Sequence, residues 1–449
     1  MKKKISVLVK GKIRKFNKII QVPGDKSCSI RALIFASQCI GVSKIKNLLP
    51  SEDVLNCVEA LRTLGVKIVK KNNIYKVYGN GLGSFNNNDK IKKIYVGNSG
   101  TTARILAGLL ATLPGKFYMH GDKSMNKRDM SRIIEPLEKI GAFFYCKNNK
   151  KTLPFTIEGT TMPLAQNHIE KLGSAQVKSC LLAAFLNTPG RSTIEEKKIS
   201  RNHSEILLNK ISADIKIKKL KKGNFISIKG QKNLFAFNYD VGADPSSSAF
   251  LIALTLLIPG AKSTINKVIC NNTRLGFIKI LKKMNANIKI KNLKKSSSSG
   301  ELTGSIVTYA SKLKPIAVSQ DTAKFIDEIP ILAVCASLAR GISKFNNIGE
   351  LKHKESNRLL EVKKILSQAG INCKTTKDSM TIYGKGKIEA GNKLIFTKTS
   401  GDHRICMSAV IISLATGIKA KINNFETVDT SFPGFIRLIK NLGGNIVIK

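Results

Sequence analysis

Hydrophobic residues recur along this chain with a long period. Six stretches of helical length begin with small or polar residues, become almost wholly apolar and end at glycine; they are residues 24–41, 97–115, 173–190, 242–260, 327–341 and 401–417. The closing glycines are 70 to 81 residues apart. A period of this kind indicates a repeated structural unit. A helix that is apolar all round is typically buried, so we expect these six helices to lie in hydrophobic cores.

A second helical segment follows each of these stretches. It carries lysines on one face and then passes into the alternating pattern of a strand, as in LRTLGVKI at 61–68 and IKNLGGNIVI at 439–448. Each repeat therefore combines a buried helix, a helix that borders solvent, and strands. Six repeats in 449 residues divide most simply into two groups of three. This organisation predicts an α/β (α+β) protein of two similar domains.

Two segments of small residues suggest connections. The segment VGADPSSS at 241–248 starts the fourth repeat and is the best candidate for the link between the domains. The segment NLKKSSSSGELTGS at 292–305 has low complexity, and we expect it to form a solvent-exposed loop between strands.

The chain is strongly basic, with 76 lysines and arginines against 29 acidic residues and a net charge of +47. Charge alone would favour a nucleic-acid-binding protein. The lysines are spread over the whole length, however, and aromatic residues make up only 6%. This pattern favours solvated surface positions and a general attraction for small anions. We therefore expect no nucleic-acid partner.

The same sequence gives no sign of membrane insertion or of a metal centre. No run approaches the eighteen or so apolar residues of a membrane span, and lysines interrupt the first twenty residues where a signal peptide would be apolar. The nine cysteines are scattered without a Cys-x-x-Cys pair, so we expect reduced core residues and no zinc site. These features predict a cytoplasmic protein without a membrane partner.

Candidate chemistry collects at the starts of the buried helices. A helix N-terminus presents unpaired amides and the positive end of the helix dipole, which suits phosphate and carboxylate groups. Cations and small polar residues lie at or beside several of these starts: Lys26, Ser27, Arg31, Asn98, Ser99, Gly100, Thr101, Arg104, Arg128, Ser174, Gln176, Lys178, Arg201, Lys354, Arg358 and Arg404. Charges beside apolar helices are costly unless an anion neutralises them. The pattern therefore predicts a pocket for anionic ligands.

Few acidic residues accompany these cations. Asp327 and Glu328 precede an apolar helix, where a carboxylate can cap the helix or act as a general base among cations. Glu355 lies between Lys354 and Arg358. His403 could transfer a proton or could be structural.

These motifs together resemble the 5-enolpyruvylshikimate-3-phosphate (EPSP) synthase family of enolpyruvyl transferases. GDKSCSIR, GNSGTTAR, SAQVKS, SRNHSE, DEIPILAV, KESNR, GDHR and TSFPGF occur in the order and approximate spacing of that family, over residues 21–435. The resemblance implies two domains of three βαβαββ repeats around buried helices, an arrangement called an inside-out barrel. It places the first strand with the C-terminal half, which gives domains of residues 23–242 and of residues 1–22 with 243–449.

The resemblance also implies an activity and a set of site residues. The activity is transfer of the enolpyruvyl group of phosphoenolpyruvate to the 5-hydroxyl of shikimate 3-phosphate, with release of phosphate, by a monomer without a metal or organic cofactor. The first domain would mainly bind shikimate 3-phosphate, and the second would contribute catalytic carboxylates and arginines for phosphoenolpyruvate. The implied contacts of shikimate 3-phosphate are Lys26, Ser27, Arg31, Ser174, Ala175, Gln176, Arg201, Asp327 and Lys354. Those of phosphoenolpyruvate are Lys26, Gly100, Arg128, Gln176, Arg358 and Arg404.

In the same comparison Asp327 corresponds to the base at the 5-hydroxyl, Glu355 to the group that handles the proton at the enolpyruvyl methylene, and Lys26 to a third catalytic residue. Glyphosate would compete with phosphoenolpyruvate near Gly100. Three positions depart from the family pattern: Asn357 replaces an aspartate, Asp129 replaces a proline, and Thr430 stands where one branch has lysine.

Two rival interpretations remain. The related transferase that acts on UDP-N-acetylglucosamine shares fold and chemistry, although its reactive loop cysteine has no counterpart here. A basic nucleic-acid-binding protein without catalysis is the second rival, and aromatic binding strips would support it.

Overall fold

The computed structural model describes residues 4–85, 91–398 and 401–449. The chain forms two compact units. The N-terminal unit consists of Gly24–Gly242 with Lys295–Glu301, and the C-terminal unit consists of Met1–Pro23, Ala243–Lys294 and Leu302–Lys449. The three initial residues of the predicted second domain lie outside the described residues. The chain passes from one unit to the other within the predicted link, between Gly242 and Ala243.

Two helices per repeat are present in the described part of the chain. In order they are α1 (Lys26–Ser37), α2 (Glu52–Thr63), α3 (Gly100–Leu110), α4 (Ser131–Ile140), α5 (Ala175–Asn187), α6 (His203–Lys210), α7 (Pro245–Leu257), α8 (Gly276–Lys283), α9 (Ile329–Ser337), α10 (Arg358–Gln368), α11 (His403–Thr416) and α12 (Phe435–Asn441). The odd-numbered helices are those predicted to be buried. α7, for example, buries every residue from Pro245 to Leu256.

The strands of the described residues are short. They are β1 (Val7–Val9), β2 (Asn17–Ile20), β3 (Ile40–Lys46), β4 (Lys67–Lys71), β5 (Ile74–Asn80), β6 (Lys92–Tyr95), β7 (Gly115–His120), β8 (Phe143–Cys146), β9 (Phe155–Gly159), β10 (Asn167–Glu170), β11 (Arg191–Glu196), β12 (Asp214–Lys219), β13 (Asn224–Lys229), β14 (Asn238–Asp240), β15 (Lys262–Ile269), β16 (Asn287–Lys295), β17 (Leu302–Tyr309), β18 (Ala317–Val318), β19 (Gly341–Phe345), β20 (Cys373–Thr375), β21 (Met380–Gly384), β22 (Leu394–Lys398), β23 (Lys419–Asn423) and β24 (Ile446–Ile448).

These strands form six four-stranded sheets, and the order of neighbouring strands follows the same pattern in each sheet. In the second repeat β6 is parallel to β7, β7 is antiparallel to β9, and β9 is antiparallel to β8. Three repeats complete their sheets with distant strands: β14 pairs with β3, β2 pairs with β15, and β1 lies between β23 and β24. The six-fold α/β architecture predicted from the hydrophobic pattern is therefore confirmed.

The recurring glycines have a common conformation. Gly41, Gly115, Gly190, Gly260, Gly341 and Gly417 all have φ values between 73° and 122°. Side chains with a Cβ rarely adopt this left-handed region, whereas glycine enters it freely. The chain therefore leaves each buried helix through a turn that requires glycine, which explains the period seen in the sequence.

Each unit is built around its buried helices. In the C-terminal unit α7, α9 and α11 pack against one another within one continuous hydrophobic core. In the N-terminal unit α3 packs against α1 and, more extensively, against α5. No helix of the described ranges is both long and apolar enough to cross a membrane. All nine cysteines are free thiols, and all but Cys146 are buried.

The prediction of an exposed loop at 292–305 was wrong in part. Ser299 and Glu301 are only 2% and 1% exposed. The segment Lys295–Glu301 packs as part of the N-terminal unit although the strands on either side belong to the other unit. Its serine-rich composition suggested solvation, but Glu301 has a buried hydrogen-bond partner, His203.

Candidate active site

The predicted site residues fall into two clusters, one in each unit. The N-terminal unit holds Lys26, Ser27, Arg31, Gly100, Arg128, Ser174, Ala175, Gln176 and Arg201, and the C-terminal unit holds Asp327, Lys354, Glu355, Arg358 and Arg404.

The start of α1 positions the first group of the N-terminal cluster. Asp25 caps the helix, its carboxylate accepting from the Cys28 amide at 2.7 Å. Lys26 follows this cap and donates through Nζ to Asp53 Oδ2 at 2.8 Å. Asp53 lies in the first turn of α2 and is 4% exposed. The sequence does not indicate this partner, because the two residues belong to different helices.

Arg31 is the most enclosed cation of this group, at 2% exposure. Its Nε donates to Ser204 Oγ and its Nη2 donates to Ser179 Oγ, both at 2.8 Å, while Nη1 donates to the Ser27 hydroxyl. Burial lowers the pKa of Arg31 and outweighs the nearby charges of Asp25 and Glu205, which raise it, while Arg201 lowers it. The guanidinium is thus held in place by hydroxyl groups beside a second cation.

The starts of α3 and α5 carry the second group. Ser99 caps α3 and Ser174 caps α5, each hydroxyl accepting from a backbone amide three residues later. Gln176 connects the two helices, since its Oε1 accepts from Arg104 Nη1 at 2.5 Å and its Nε2 donates to Thr101 Oγ1 at 3.2 Å.

Gly100 lies against this group of side chains. A Cβ at this position would be 2.7 Å from Arg104 Nη1 and 3.2 Å from Arg128 Nη1. Burial, together with the charge of the neighbouring Arg128, lowers the pKa of Arg104 to about 10. Two guanidinium groups therefore converge at the amino end of a buried helix, an arrangement that an anion would stabilise.

One candidate cation of the sequence analysis does not belong to a ligand pocket. Lys178 is completely buried, and its Nζ lies 2.8 Å from Glu196 Oε1 and 2.7 Å from Glu205 Oε1. Burial opposes the charge, but the two carboxylates outweigh it and raise the pKa of Lys178. The expectation for Lys178 was wrong: the motif spacing showed its burial but not its two partners.

In the C-terminal unit the cluster forms around Asp327. Its carboxylate Oδ1 lies 3.5 Å from Lys354 Nζ and 3.4 Å from Arg358 Nη1, and its carbonyl accepts from Arg404 Nη1 at 2.9 Å. The helix α9 begins only at Ile329, and its N-cap residue Glu328 makes no side-chain cap hydrogen bond. Asp327 is 17% exposed and faces three cations.

Arg358 is the centre of this second cluster and is 1% exposed. Its Nε donates to Asp402 Oδ2 at 2.9 Å, and its Nη2 donates to Glu355 Oε2. Burial lowers the pKa of Arg358, but Asp402, Glu355 and Asp327 outweigh this effect and hold it above its ordinary value. The arginine thus fixes both predicted catalytic carboxylates relative to each other.

Comparisons with known proteins show the family of this chain. The sequence model of the family described as EPSP synthase (3-phosphoshikimate 1-carboxyvinyltransferase) matches residues 10–439. The chain belongs to the EPSP synthase family. A 3-phosphoshikimate 1-carboxyvinyltransferase of Acidiphilium cryptum is 37% identical over 95% of this chain and 94% of its own length.

Solved structures give the same result for the fold. The EPSP synthase of Acinetobacter baumannii is 33% identical and superposes with a TM-score of 0.86, covering 99% of this chain and 100% of its own. The enolpyruvyl transferase NikO of Streptomyces tendae has a TM-score of 0.77 over 99% of each chain at 11% identity, and so shares the fold.

The three departures from the EPSP synthase pattern have local roles. Asn357 caps α10, its Oδ1 accepting from the Leu360 amide at 3.4 Å. Asp129 accepts from the amide and the hydroxyl of Ser131 at the start of α4. Thr430 donates to the Thr427 carbonyl at 2.7 Å and supplies no positive charge. Asparagine and aspartate both serve well at helix starts, which accounts for the first two.

Proposed function

We propose that this protein is a 3-phosphoshikimate 1-carboxyvinyltransferase, which joins phosphoenolpyruvate to the 5-hydroxyl of shikimate 3-phosphate and releases phosphate. The reaction belongs to the shikimate pathway, which leads to chorismate and the aromatic amino acids. The observation that carries the proposal is the convergence of Arg104 and Arg128 at the start of α3, beside Gly100, within a chain of this family.

The N-terminal cluster is suited to binding both anionic substrates. We assign shikimate 3-phosphate to Lys26, Ser27, Arg31, Ser174, Ala175, Gln176 and Arg201, and phosphoenolpyruvate to Lys26, Gly100, Arg128 and Gln176. We add Arg104 to the second set, because its guanidinium shares Gln176 and lies against Gly100. Each helix start contributes amides and dipole as well as side chains.

The C-terminal cluster is suited to proton transfer. We assign Asp327 as the base that takes the proton of the 5-hydroxyl, while the oxygen attacks C2 of phosphoenolpyruvate and a proton is added at C3. Glu355 handles the proton at C3, which must leave again when phosphate departs from the tetrahedral intermediate and the double bond reforms. Lys354 would neutralise shikimate 3-phosphate, and Arg358 and Arg404 would stabilise negative charge that develops on phosphoenolpyruvate.

Release of inorganic phosphate from phosphoenolpyruvate tests this function directly. We expect release to require shikimate 3-phosphate and to be absent with UDP-N-acetylglucosamine. Release with the UDP-sugar alone would assign the rival transferase activity, and no release with either would contradict both. A cytoplasmic location and a monomeric state stay predictions, and light scattering after size-exclusion chromatography would measure the second.

A further inference from the structure

A buried polar cluster lies beneath the start of α1 and α6, in the N-terminal unit. Cys28, His203 and Glu301 each place a potential ligand atom within 4.8 Å of the other two, and all three residues are at most 2% exposed. Glu301 closes the serine-rich segment Lys295–Glu301. None of these residues has a role in the reaction proposed above.

The central contact is a short hydrogen bond. His203 Nδ1 lies 2.6 Å from Glu301 Oε1, and both side chains are 1% exposed. Two ligands of a tetrahedral zinc ion would lie about 3.3 Å apart, given zinc–ligand distances near 2 Å. The observed distance therefore favours a shared proton over a bridging metal ion.

The cluster is linked to a residue assigned to shikimate 3-phosphate. His203 is the first residue of α6, and the next residue, Ser204, accepts from Arg31 Nε at 2.8 Å. Ser204 also bonds Ser179 Oγ at 2.7 Å, and Ser179 accepts from Arg31 Nη2. The orientation of Arg31 thus depends on where α6 begins.

Tyr239 closes the other side of the cluster. It is 3% exposed and hydrogen-bonds Cys28, the neighbour of Ser27. Burial raises the pKa of Tyr239, and the hydrogen bond to Cys28 and the nearby Glu301 raise it further, so its hydroxyl keeps its proton. The cluster therefore joins α1, α6 and the segment Lys295–Glu301 through buried polar groups, which are costly to leave unpaired.

We propose that Glu301 is a positioning residue for shikimate 3-phosphate, because it holds His203 and through it Ser204 and Arg31. This inference rests on the proposed function. The serine-rich segment Lys295–Glu301 then has a role in the N-terminal unit. It places a carboxylate from the second half of the sequence at the base of the substrate site.

The test compares Glu301→Leu with Glu301→Gln in the full-length enzyme. Leucine removes the acceptor, whereas glutamine keeps an oxygen for His203 Nδ1. For Glu301→Leu we expect the dissociation constant and KM of shikimate 3-phosphate to rise about tenfold, with kcat and the KM of phosphoenolpyruvate changed less than about twofold. Glu301→Gln should restore binding of shikimate 3-phosphate to within about threefold of the wild type.

Two further variants make the result decisive. Thr255→Val removes a completely buried hydroxyl in the C-terminal unit and controls for general destabilisation. Arg31→Met tests the site assignment itself: if it leaves the KM of shikimate 3-phosphate unchanged, the proposed site fails whatever Glu301 does. If Arg31→Met weakens binding and folded Glu301→Leu does not, the positioning role is overturned.

Two other outcomes also decide the question. If Glu301→Leu does not fold, Glu301→Asp replaces it, since the shorter carboxylate cannot reach His203 without a shift; unchanged affinity for shikimate 3-phosphate would overturn the proposal. The metal content of the purified protein is measured by mass spectrometry. A stoichiometric metal that Glu301→Leu loses would replace the hydrogen-bonded pair with a metal site and overturn the positioning role.

Discussion

The arginines of the two clusters have opposite kinds of hydrogen-bond partners. In the N-terminal unit Arg31 donates to serine hydroxyls and Arg104 to an amide and a carbonyl, and the pKa of each is lowered. In the C-terminal unit Arg358 donates to carboxylates and its pKa is raised. The first arrangement leaves positive charge for a ligand, whereas the second uses it to hold acidic side chains.

From this difference we expect the N-terminal cluster to act mainly in substrate binding and the C-terminal cluster to act mainly in catalysis. A guanidinium that is held by neutral acceptors gains most when an anion arrives. A guanidinium surrounded by carboxylates gains less from a bound anion, although it can still stabilise charge that develops during the reaction, and it keeps those carboxylates oriented. We therefore expect changes in the N-terminal cluster to act mainly on KM and changes around Asp327 to act mainly on kcat.

The largest effect on catalysis should follow Asp327→Asn. The amide keeps the shape of the side chain but is a poor base, so kcat should fall about a thousandfold, equivalent to roughly 4 kcal/mol in the activation free energy. The melting temperature should change little. Glu361→Gln, on the surface of α10 beside Lys364, is the control and should keep full activity. A stable Asp327→Asn enzyme with normal kcat would remove this base from the mechanism.

Lys178→Met tests whether a buried cation of the N-terminal unit is structural. The change leaves Glu196 and Glu205 buried without their lysine, which should cost about 3–5 kcal/mol of folding free energy and lower the melting temperature by roughly ten degrees. Lys151→Met, at an exposed ion pair, should have little effect. An unchanged melting temperature with a raised KM would instead place Lys178 in the binding site.

Arg104→Gln should separate binding from chemistry within the N-terminal cluster. Loss of a charged hydrogen-bond donor of about 2 kcal/mol should raise the KM of phosphoenolpyruvate roughly thirtyfold, with kcat affected less. Arg62→Gln removes an exposed arginine paired with Glu59 and serves as the matched control. Steady-state kinetics at saturating shikimate 3-phosphate would measure the KM of phosphoenolpyruvate. A fall in kcat with an unchanged KM would contradict a binding role for the N-terminal cluster.

The smallest effect should follow Gly100→Ala. The new methyl group would push the ends of Arg104 and Arg128 aside, so the KM of phosphoenolpyruvate should rise a few-fold, about 1 kcal/mol. Glyphosate, expected to approach this glycine more closely, should lose more affinity than the substrate. Gly11→Ala adds a methyl group in open space and is the control. An unchanged ratio of the glyphosate inhibition constant to the KM would place the start of α3 away from the pocket.

The repeating architecture could be predicted because it depends on local rules. A wholly apolar helix must be buried, and each must end in a turn that a glycine permits, so positions such as Gly115 and Gly417 mark the period directly. The cations at the helix starts could also be predicted, because the beginning of each apolar stretch marks where its helix starts.

Contacts between distant residues could not be predicted. Nothing near Lys26 indicates Asp53, and nothing near Lys178 indicates that Glu196 and Glu205 neutralise it. Glu301 was misread because its flanking serines are typical of solvated loops, while its partner His203 is 98 residues away. Periodicity describes which face of an element is buried, but not which polar side chains meet there.

The exchange of strands has a consequence for synthesis on the ribosome. β1 emerges before every other described strand, yet its neighbours β23 and β24 follow all the others. The N-terminal unit can complete itself once Glu301 has left the exit tunnel, whereas β1 must wait for nearly the whole chain. Vectorial translation therefore imposes an order in which the N-terminal unit matures first, and Val7–Val9 spends that interval without the strands that later enclose it.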